Sequence, residues 1–456
     1  MKRQLAMCLT TVFVVSLVGF CDADDWSRFR GPDGSGLSPD DTPTPVTWSD
    51  SENLKWKVPL PGPGSSSPIV VGGRVYVTCW SGYGTDRGAP GDQKDLKRHL
   101  VCVDRETGKT IWSTTTDAVL PEDDFRGMFT QHGYTSHTPV SDGERVYVFY
   151  GITGVLAFDL DGNKLWQTSV GTERDRRGWG SASSPILYKN LVIVTASIEN
   201  QALVALNKDT GEEVWKQEAG GFASTWGTPI LVDVGDGRQD LVLAVPYEVW
   251  GFNPDDGKLR WYCEAVQSDS MCSSLIVGGD TVYAVERGPR GGGAVAVRAG
   301  GKDDVTKTHV VWTANERSRI GTPILYEGRI YWISGGIANC IDAKTGEQVY
   351  QSRLAGAAAS AEPGRGARSG RGGGRRGFGG GMGGQDYSSP VVADGKMYFV
   401  RRSGTAVVVK LGTTFEELAQ NRFESDDGDF SATPAISDGE LFIRSSKNLY
   451  CVSKGE

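Results

Sequence analysis

The residues best suited to chemistry lie close to a Ser/Thr-Pro step that recurs along the chain. Aromatic rings, imidazoles and a guanidinium group occur there, at His132, His137, Trp179, Trp226, Arg319 and Tyr387. An aromatic platform flanked by cationic donors is suited to a planar or anionic ligand. The alternative interpretation is structural: the hydroxyl groups beside these residues bond a neighbouring backbone, and the larger side chains only fill a channel.

Acid–base and metal chemistry have few candidate residues. The sequence has only four His, which argues against a His-rich metal site. Neither His132 nor His137 has an evident nucleophile or metal ligand beside it, and no spacing establishes a Ser–His–Asp triad. Asp233, Asp236 and Asp240 resemble a calcium loop, in which closely spaced carboxylates hold a hard cation. Their spacing is not that of an EF-hand and falls at an expected hairpin, so turn chemistry is the alternative.

The elements that position these residues form a repeated unit. The Ser/Thr-Pro step occurs seven times, Ser274-Leu275 takes an eighth position, and the shorter spacings are 44–48 residues. Each step leads into a short apolar strand, a tight turn and further strands. Four antiparallel strands in about 45 residues are typical of a β-propeller blade. The predicted two-residue turns are Gly72-Gly73, Asp142-Gly143, Lys189-Asn190, Asp236-Gly237, Gly278-Gly279, Glu327-Gly328, Asp394-Gly395 and Asp438-Gly439.

The most specific signal is the hairpin between the third and fourth strands. Cys102-x-Asp104-x-x-Thr107-Gly108-x-x-x-Trp112 recurs from Ala205 to Trp215 and from Cys340 to Tyr350. The Asp or Asn is expected to hold the turn through backbone amides, and Gly to take the left-handed conformation. The ring is expected to wedge against the next blade. The predicted docking aromatics are Trp56, Trp112, Trp166, Trp215, Trp261, Trp312 and Tyr350.

This hairpin resembles the tryptophan-docking motif of the pyrroloquinoline-quinone (PQQ) family of β-propellers. The resemblance covers residues 53–456 and implies an all-β fold, an eight-bladed propeller of four-stranded antiparallel blades. Only three strands follow Thr433, and Leu54-Lys-Trp56-Lys-Val58 resembles an isolated fourth strand. We therefore expect this N-terminal strand to close the last blade, which removes both free sheet edges.

Residues 1–23 have the order of a secretory signal, with two basic residues, an apolar stretch and small residues at the end. We expect cleavage, a periplasmic or secreted location, and an N-terminal extension at residues 24–52. Retention of the apolar stretch as an anchor is the alternative. Phe20 before Cys21 argues against a lipoprotein, and no later apolar run is long enough to span a membrane.

Two insertions interrupt the repeats. Residues 363–385 are rich in Arg and Gly and carry no acidic residue. This composition predicts a disordered, solvated loop, with contact to an anionic polymer as the alternative. The segment from Trp80 to His99 is predicted to be a surface loop between the second and third strands of the first blade. The net charge of −8 argues against a general attraction for nucleic acid.

Of the eight cysteines, six follow the signal. Cys102, Cys340 and Cys451 share one repeat position, where the other units carry Ala or Gly, so they are interpreted as small apolar residues packed between blades. Cys263 and Cys272 flank one connection between blades. Their proximity in the sequence leaves a disulfide open.

The resemblance implies two functional classes. A BamB-like propeller would be a monomeric, non-enzymatic binding or scaffold protein without a cofactor. It would engage an envelope protein or a small ligand at a propeller face, and could serve outer-membrane protein assembly. A quinoprotein dehydrogenase would oxidise alcohols or sugars with PQQ and calcium, and implies an Asp base, an Arg beside the quinone, calcium-binding carboxylates and adjacent cysteines. Only isolated candidates such as Arg319 and Asp386 are present, without a Cys-Cys dipeptide, so we favour the binding protein. A carbohydrate-active or other ligand-binding role is a third alternative.

Overall fold

The computed structural model describes residues 25–38, 42–175, 177–288, 291–356 and 385–455. The predicted signal segment lies outside the described residues, and so does the predicted Arg/Gly-rich loop apart from Gln385. Within the described ranges, no helix is long and apolar enough to cross a membrane.

Eight antiparallel sheets form the blades of a propeller, which confirms the predicted fold. In chain order, the strands of blades 1 and 2 are Ile69–Val71, Arg74–Ser81, Lys97–Asp104 and Thr110–Asp117, then Val140–Ser141, Arg145–Phe149, Val155–Asp159 and Lys164–Thr168. Those of blades 3 and 4 are Ile186–Tyr188, Leu191–Ala196, Ala202–Asn207 and Glu213–Glu218, then Ile230–Asp233, Gln239–Val245, Glu248–Phe252 and Leu259–Glu264.

The last four blades follow the same order. The strands of blades 5 and 6 are Ile276–Gly278, Thr281–Glu286, Gly293–Arg298 and Val310–Ala314, then Ile324–Tyr326, Arg329–Ser334, Ile337–Asp342 and Gln348–Arg353. Those of blades 7 and 8 are Val391–Ala393, Lys396–Val400, Ala406–Lys410 and Glu416–Asn421, then Ala435–Ser437, Glu440–Arg444 and Asn448–Val452. The N-terminal strand Leu54–Pro59 pairs antiparallel with Asn448–Val452 and completes blade 8, which confirms the predicted closure.

Short elements lie between the blade strands. Asp303–Asp304 adds a fifth, parallel strand to the outer edge of blade 4. One turn of α-helix spans Thr306–His309, and the 3₁₀ helices are Gln93–Asp95, Gly127–Gln131, Gly151–Thr153 and Gly220–Phe222. The first of these belongs to the insertion between the second and third strands of blade 1. The insertion is shorter than predicted, because Trp80 pairs with Arg98 and Ser81 with Lys97 in the two strands.

Five of the eight inner hairpins have the predicted two-residue turn, as in Val71↔Arg74. The prediction is wrong at the other three. In blade 5, Gly278 pairs with Thr281, so the turn lies one residue later. In blade 4 five residues separate Asp233 from its partner Gln239. In blade 2 four residues follow Ser141, because the Asp142 carboxylate accepts hydrogen bonds from two backbone amides and stabilises a wider loop.

The fourth-strand aromatics join consecutive blades. Trp56 donates its indole N–H to the Arg105 carbonyl at 2.7 Å, and a Cβ added to Gly108 would lie 2.6 Å from that ring. The same contact occurs four more times, from Trp112 to Leu160, Trp166 to Lys208, Trp215 to Pro254 and Trp312 to Ala343. The turn glycine can approach the indole so closely because it has no side chain and holds the left-handed conformation.

Two aromatic positions depart from this pattern. Blade 5 lacks the Thr-Gly turn, and Trp261 donates instead to the Asp240 carboxylate of its own blade at 2.7 Å. The second is Tyr350 of blade 6. Its aromatic ring contacts the next blade, blade 7, where the Phe415 ring centroid lies 6.0 Å away. Its buried hydroxyl has no hydrogen-bond partner among the described residues.

The small residue of each repeat faces the docking aromatic within one sheet. Cys102 pairs with Trp112, Cys340 with Tyr350 and Cys451 with Trp56. All three cysteines have no exposed surface. The position therefore requires a small residue because a large ring covers it.

The N-terminal segment, residues 25–38, crosses one end of the propeller. Trp26 exchanges backbone hydrogen bonds with Val70 of blade 1, and Leu37 forms a bridge with Val392 of blade 7. Arg30 is 1% exposed and donates to the carbonyl oxygens of Thr322, Pro323 and Pro390 between 2.8 and 3.2 Å. One buried guanidinium thus fixes the segment to blades 6 and 7.

Candidate ligand site in the axial cavity

An axial cavity of about 160 Å³ is lined by residues of all eight repeats. Its wall carries the hydroxyl group of each Ser/Thr step, and its mouth carries the residues that precede those steps. Phe29 of the N-terminal segment also lines it. Because Val70 and Val392 follow the steps along their strands, this segment crosses the end of the cavity opposite the mouth.

The step hydroxyls form a circumferential ring of hydrogen bonds. Neighbouring repeats meet at eight junctions around the ring. At the seven junctions from Ser67 along the chain to Thr433, the step residue donates its backbone N–H to the step hydroxyl oxygen of the next repeat, at 2.9–3.0 Å. These contacts tie neighbouring blades together, so the structural interpretation holds for the step hydroxyls. Their O–H hydrogens have no acceptor among the described residues and can donate to a ligand.

An aromatic platform lies at the mouth. The rings of Trp179 and Trp226 are 5.1 Å apart between centroids and tilted by 35°. The Trp226 indole donates to the Gly180 carbonyl at 2.6 Å, which fixes its orientation. Tyr387 also lines the cavity, and the Arg402 guanidinium lies 5.4 Å from its ring centroid. Burial raises the pKa of the Tyr387 hydroxyl, so it is a neutral donor at ordinary pH.

Two guanidinium groups line the cavity, those of Arg287 and Arg319. Within the described ranges, neither side chain has an ion-pair or hydrogen-bond partner. Arg402, in contrast, is held by Gln131 and Asp429, each at 2.7 Å. No Asp or Glu belongs to the described lining. The cavity therefore presents uncompensated positive charge to a ligand.

The structure brings five of the six predicted mouth residues together around this cavity, namely His132, Trp179, Trp226, Arg319 and Tyr387. His137 lies outside it, in a separate small cavity beside Arg98 and Glu199. Its ring packs 4.5 Å from that of Phe149, and burial lowers its pKa to about 3.

Both histidines have a hydroxyl partner that sequence reasoning did not find. His132 Nδ1 lies 2.7 Å from Ser136 Oγ, and His137 Nε2 lies 3.1 Å from Ser181 Oγ. Each histidine thus has a hydroxyl neighbour that the sequence did not make evident. Ser136 stands one residue before His137 in the sequence, but its contact with His132 depends on the turn after the helix Gly127–Gln131.

Cys272 lines the mouth at the position before the blade 5 step, where the repeat predicts a mouth residue. Arg287, also of blade 5, and Phe29 were missed. Burial raises the pKa of the Cys272 thiol, with the Glu286 carboxylate adding to the rise and Arg319 opposing it. Arg287 follows the second strand of its blade, where no repeat feature marks it. Phe29 comes from the segment before the repeats.

The six cysteines of the described ranges are free. Cys263 is buried in the outer strand of blade 4, whereas Cys272 lines the mouth. The disulfide between them that the sequence left open does not form.

The candidate calcium residues lie in blade 4. Asp240 is fully buried and is bound by Arg260 and by the Trp261 indole N–H. Asp233 accepts a hydrogen bond from the Gly235 amide at 2.8 Å, as a turn residue does. No group of three or more His, Cys, Asp or Glu in the described part of the chain could hold a metal ion.

Comparison with known proteins identifies relatives of this chain. Residues 93–200 and 190–365 match the family described as outer membrane protein assembly factor BamB. A polyvinylalcohol dehydrogenase from a Pseudomonas species is 25% identical over 46% of this chain and 46% of that protein. BamB from Alkalilimnicola ehrlichii is 24% identical over 34% of this chain and 39% of that protein. The chain thus spans less than half the length of the curated relatives it matches.

Two solved structures share the architecture. BamB from Moraxella catarrhalis has a TM-score of 0.56 at 9% identity, covering 88% of this chain and 99% of that chain. A europium-containing methanol dehydrogenase has a TM-score of 0.60 at 11% identity, covering 94% and 98%. At such identities the likeness shows the fold alone. The family match, which spans more than half of the sequence, shows that this chain belongs to the BamB family of PQQ-like β-propellers.

Proposed function

We propose that this chain is an exported binding propeller whose axial cavity takes a small ligand with a planar part and an anionic group. The observation that carries the proposal is the half-buried Arg319 guanidinium, which has no partner in the described structure and faces a cavity lined by no described carboxylate. A partly buried charge without a partner is costly. A carboxylate or similar anion would compensate it through two charge-assisted hydrogen bonds.

The remaining wall supports the same ligand. The Trp179–Trp226 platform offers ring faces for a planar group, since aromatic groups favour offset or tilted stacking. The ring of step hydroxyls offers neutral donors for further oxygen atoms.

The test compares 2-naphthoate with 2-naphthylmethanol, which have the same ring but differ in charge. We expect 2-naphthoate to quench tryptophan fluorescence with saturation, and the neutral analogue to bind at least about tenfold more weakly, the cost of about 1.4 kcal/mol of lost ion pairing. Arg319→Gln should remove this preference. Arg317→Gln is the matched control, because Arg317 is exposed, two residues away and outside the cavity lining. Equal binding of both probes, or an unchanged preference in Arg319→Gln, would contradict the proposal.

The residues of the cavity do not fit PQQ held with calcium. The resemblance implies calcium-binding carboxylates and an Asp base, but the described lining has neither. Asp386, the isolated candidate, accepts a hydrogen bond from the Arg402 amide at 2.9 Å and is not part of the lining. We therefore derive no quinone-dependent step, and expect no dye-linked oxidation of alcohols after incubation with PQQ and calcium. Alcohol oxidation with tightly bound PQQ would overturn the conclusion that the cavity does not fit this cofactor.

A second candidate function is that of a scaffold in envelope protein assembly, which family membership supports. A specific observation also favours a protein partner. The outer strands of four blades expose large apolar side chains by 45–51%, each directly before a docking aromatic, at Ile111, Leu165, Val214 and Val311. Exposed apolar side chains on the outermost strand of a sheet suit strand addition by a partner.

This second function is tested by affinity capture from envelope extract. We expect the double variant Leu165→Asp/Val214→Asp to lose partners that the natural chain retains. Lys164→Asp, at an exposed neighbouring position, serves as the control. Retention of every partner by the double variant would exclude the outer strands as the docking edge.

A further inference from the structure

We propose that Ser136 is a nucleophile activated by His132, and that the axial cavity hydrolyses small esters that carry a carboxylate. This inference rests on the proposed function in one respect, because Arg319 is to hold the carboxylate. It goes beyond that function by assigning a reaction to the cavity.

The first observation is the geometry of Ser136 and His132. Both line the axial cavity, and Ser136 Oγ lies 2.7 Å from His132 Nδ1. The other ring nitrogen, Nε2, is hydrogen-bonded to the Trp179 carbonyl. A carbonyl oxygen can only accept, so Nε2 carries the hydrogen and Nδ1 of the neutral ring is left as the acceptor. The Ser136 hydroxyl also lies 3.5 Å from the His132 carbonyl oxygen, but the much shorter contact to Nδ1 directs its proton to the base.

This arrangement supplies the three roles of a hydrolytic triad. Ser136 is the nucleophile, His132 the general base, and the Trp179 main-chain carbonyl the acceptor that fixes the imidazole tautomer. In most such sites a carboxylate fills the third role, and here a backbone oxygen does. Burial lowers the pKa of His132, with the Trp179 carbonyl opposing that shift, so the ring is in its neutral, proton-accepting form at pH 7, although it is a weaker base than a free imidazole.

The second histidine offers a contrast within the same molecule. Ser181 also lies near an imidazole, but its hydroxyl donates to the Glu199 carboxylate. Its proton is therefore directed away from His137, and Ser181 belongs to the small cavity rather than to the axial one. Of these two serines, only Ser136 both donates its hydroxyl to a histidine and lines the axial cavity.

A further observation is where Ser136 and Arg319 lie around the ring of blades. Ser136 precedes blade 2 and Arg319 precedes blade 6, so the two lie on opposite sides of an eight-bladed ring. A ligand whose carboxylate binds Arg319 directs its other end across the cavity, towards Ser136. Trp179 connects the two parts of the site, because its ring belongs to the aromatic platform and its carbonyl orients His132.

The proposed reaction balances with water as the only co-reactant. Ser136 Oγ bonds to the ester carbonyl carbon while its proton passes to His132 Nδ1. The bond from that carbon to the alkoxy oxygen breaks, and the leaving alcohol takes the proton from His132. Water then attacks the acyl-serine with His132 as base, releasing the carboxylic acid and restoring the hydroxyl.

The experiment uses the 4-nitrophenyl monoester of succinic acid as the anionic probe and 4-nitrophenyl acetate as the neutral one. After acid quenching, we expect peptide mass spectrometry to locate a succinyl adduct on Ser136. Ser136→Ala should abolish the adduct and the release of nitrophenol above background, and His132→Gln should slow acylation by about 10²–10⁴-fold. Ser181→Ala is the control and should acylate normally.

A pH profile separates a base from a structural role. Acylation should decline on acidification with a midpoint below 6.5, the ordinary pKa of imidazole, because burial lowers the pKa of His132. An adduct that survives Ser136→Ala, or a rate that His132→Gln leaves unchanged, would overturn the inference.

The two proposals fail in different ways. If 2-naphthoate binds and depends on Arg319 but no acyl adduct forms on Ser136, the hydrolytic inference is wrong and the binding function stands. If acylation occurs on Ser136 with equal preference for both esters and 2-naphthoate does not bind, the anion site is wrong. Circular dichroism of each variant shows whether it folds.

Discussion

The packing of an indole against a turn glycine of the next blade predicts the cost of adding one methyl group. At Gly211, φ is +75° and a Cβ would lie 2.6 Å from Trp166 Cδ2 and 2.8 Å from Thr168 Oγ1. A non-glycine residue in the left-handed conformation costs roughly 1–2 kcal/mol. Overpacking adds about 1–3 kcal/mol. We therefore expect Gly211→Ala to lower the free energy of unfolding by about 2–5 kcal/mol.

Gly395→Ala is the matched control for that variant. Gly395 also lies in a tight turn, with φ of +65°, but a Cβ there would meet nothing within 4 Å. Gly395→Ala should therefore lower the free energy of unfolding only by the cost of the left-handed backbone conformation, about 1–2 kcal/mol. The difference between the two variants isolates the contact between blades.

The assay is urea unfolding followed by tryptophan fluorescence and by circular dichroism, because coincident curves are needed for a two-state free energy. The double variant Gly211→Ala/Trp166→Ala should cost less than the sum of its single variants, since the clash disappears with the ring. Equal destabilisation by Gly211→Ala and Gly395→Ala would refute the docking argument.

Two further predictions follow from buried charges. Arg30→Met should lower the free energy of unfolding by about 1–3 kcal/mol in urea, because buried carbonyls of blades 6 and 7 lose their donor; an unchanged midpoint would contradict it. Burial raises the pKa of Glu199 from 4.5 to about 7, so the folded state binds this proton more tightly. The stabilising effect is full below pH 4.5 and is lost as pH rises through about 7, by up to about 3 kcal/mol. Glu199→Gln should therefore lose less stability between pH 5 and 8 than the natural chain, and an identical decline in both would contradict the assignment.

The fold could be predicted from the sequence because every repeat marks its turns and its docking position with recognisable residue types. The turn glycine, the small residue and the aromatic ring of each unit contact one another or the adjacent unit, so local spacing determines the geometry. The errors arise where a repeat deviates. Blade 4 has a five-residue turn at Asp236, and Trp261 turns to Asp240 because the next repeat lacks the Thr-Gly hairpin.

The candidate site could be predicted only in part. The position before each step placed Trp226, Arg319 and Tyr387 at the mouth, because the inner strand of every blade faces the axis. The contact between His132 and Ser136 depends on side-chain direction after a short helix, which repeat spacing does not encode. Likewise, nothing in the sequence shows that Arg319 has no partner, since that depends on which side chains blades far apart in sequence bring to the axis.

The most direct test of the anion-binding site is a crystal structure of the protein with 2-naphthoate. We expect the ligand in the axial cavity, with its carboxylate within hydrogen-bonding distance of the Arg319 guanidinium and its rings against Trp179 or Trp226. A ligand bound elsewhere, or a carboxylate turned away from Arg319 towards solvent, would contradict the claim that this cavity is an anion-binding site.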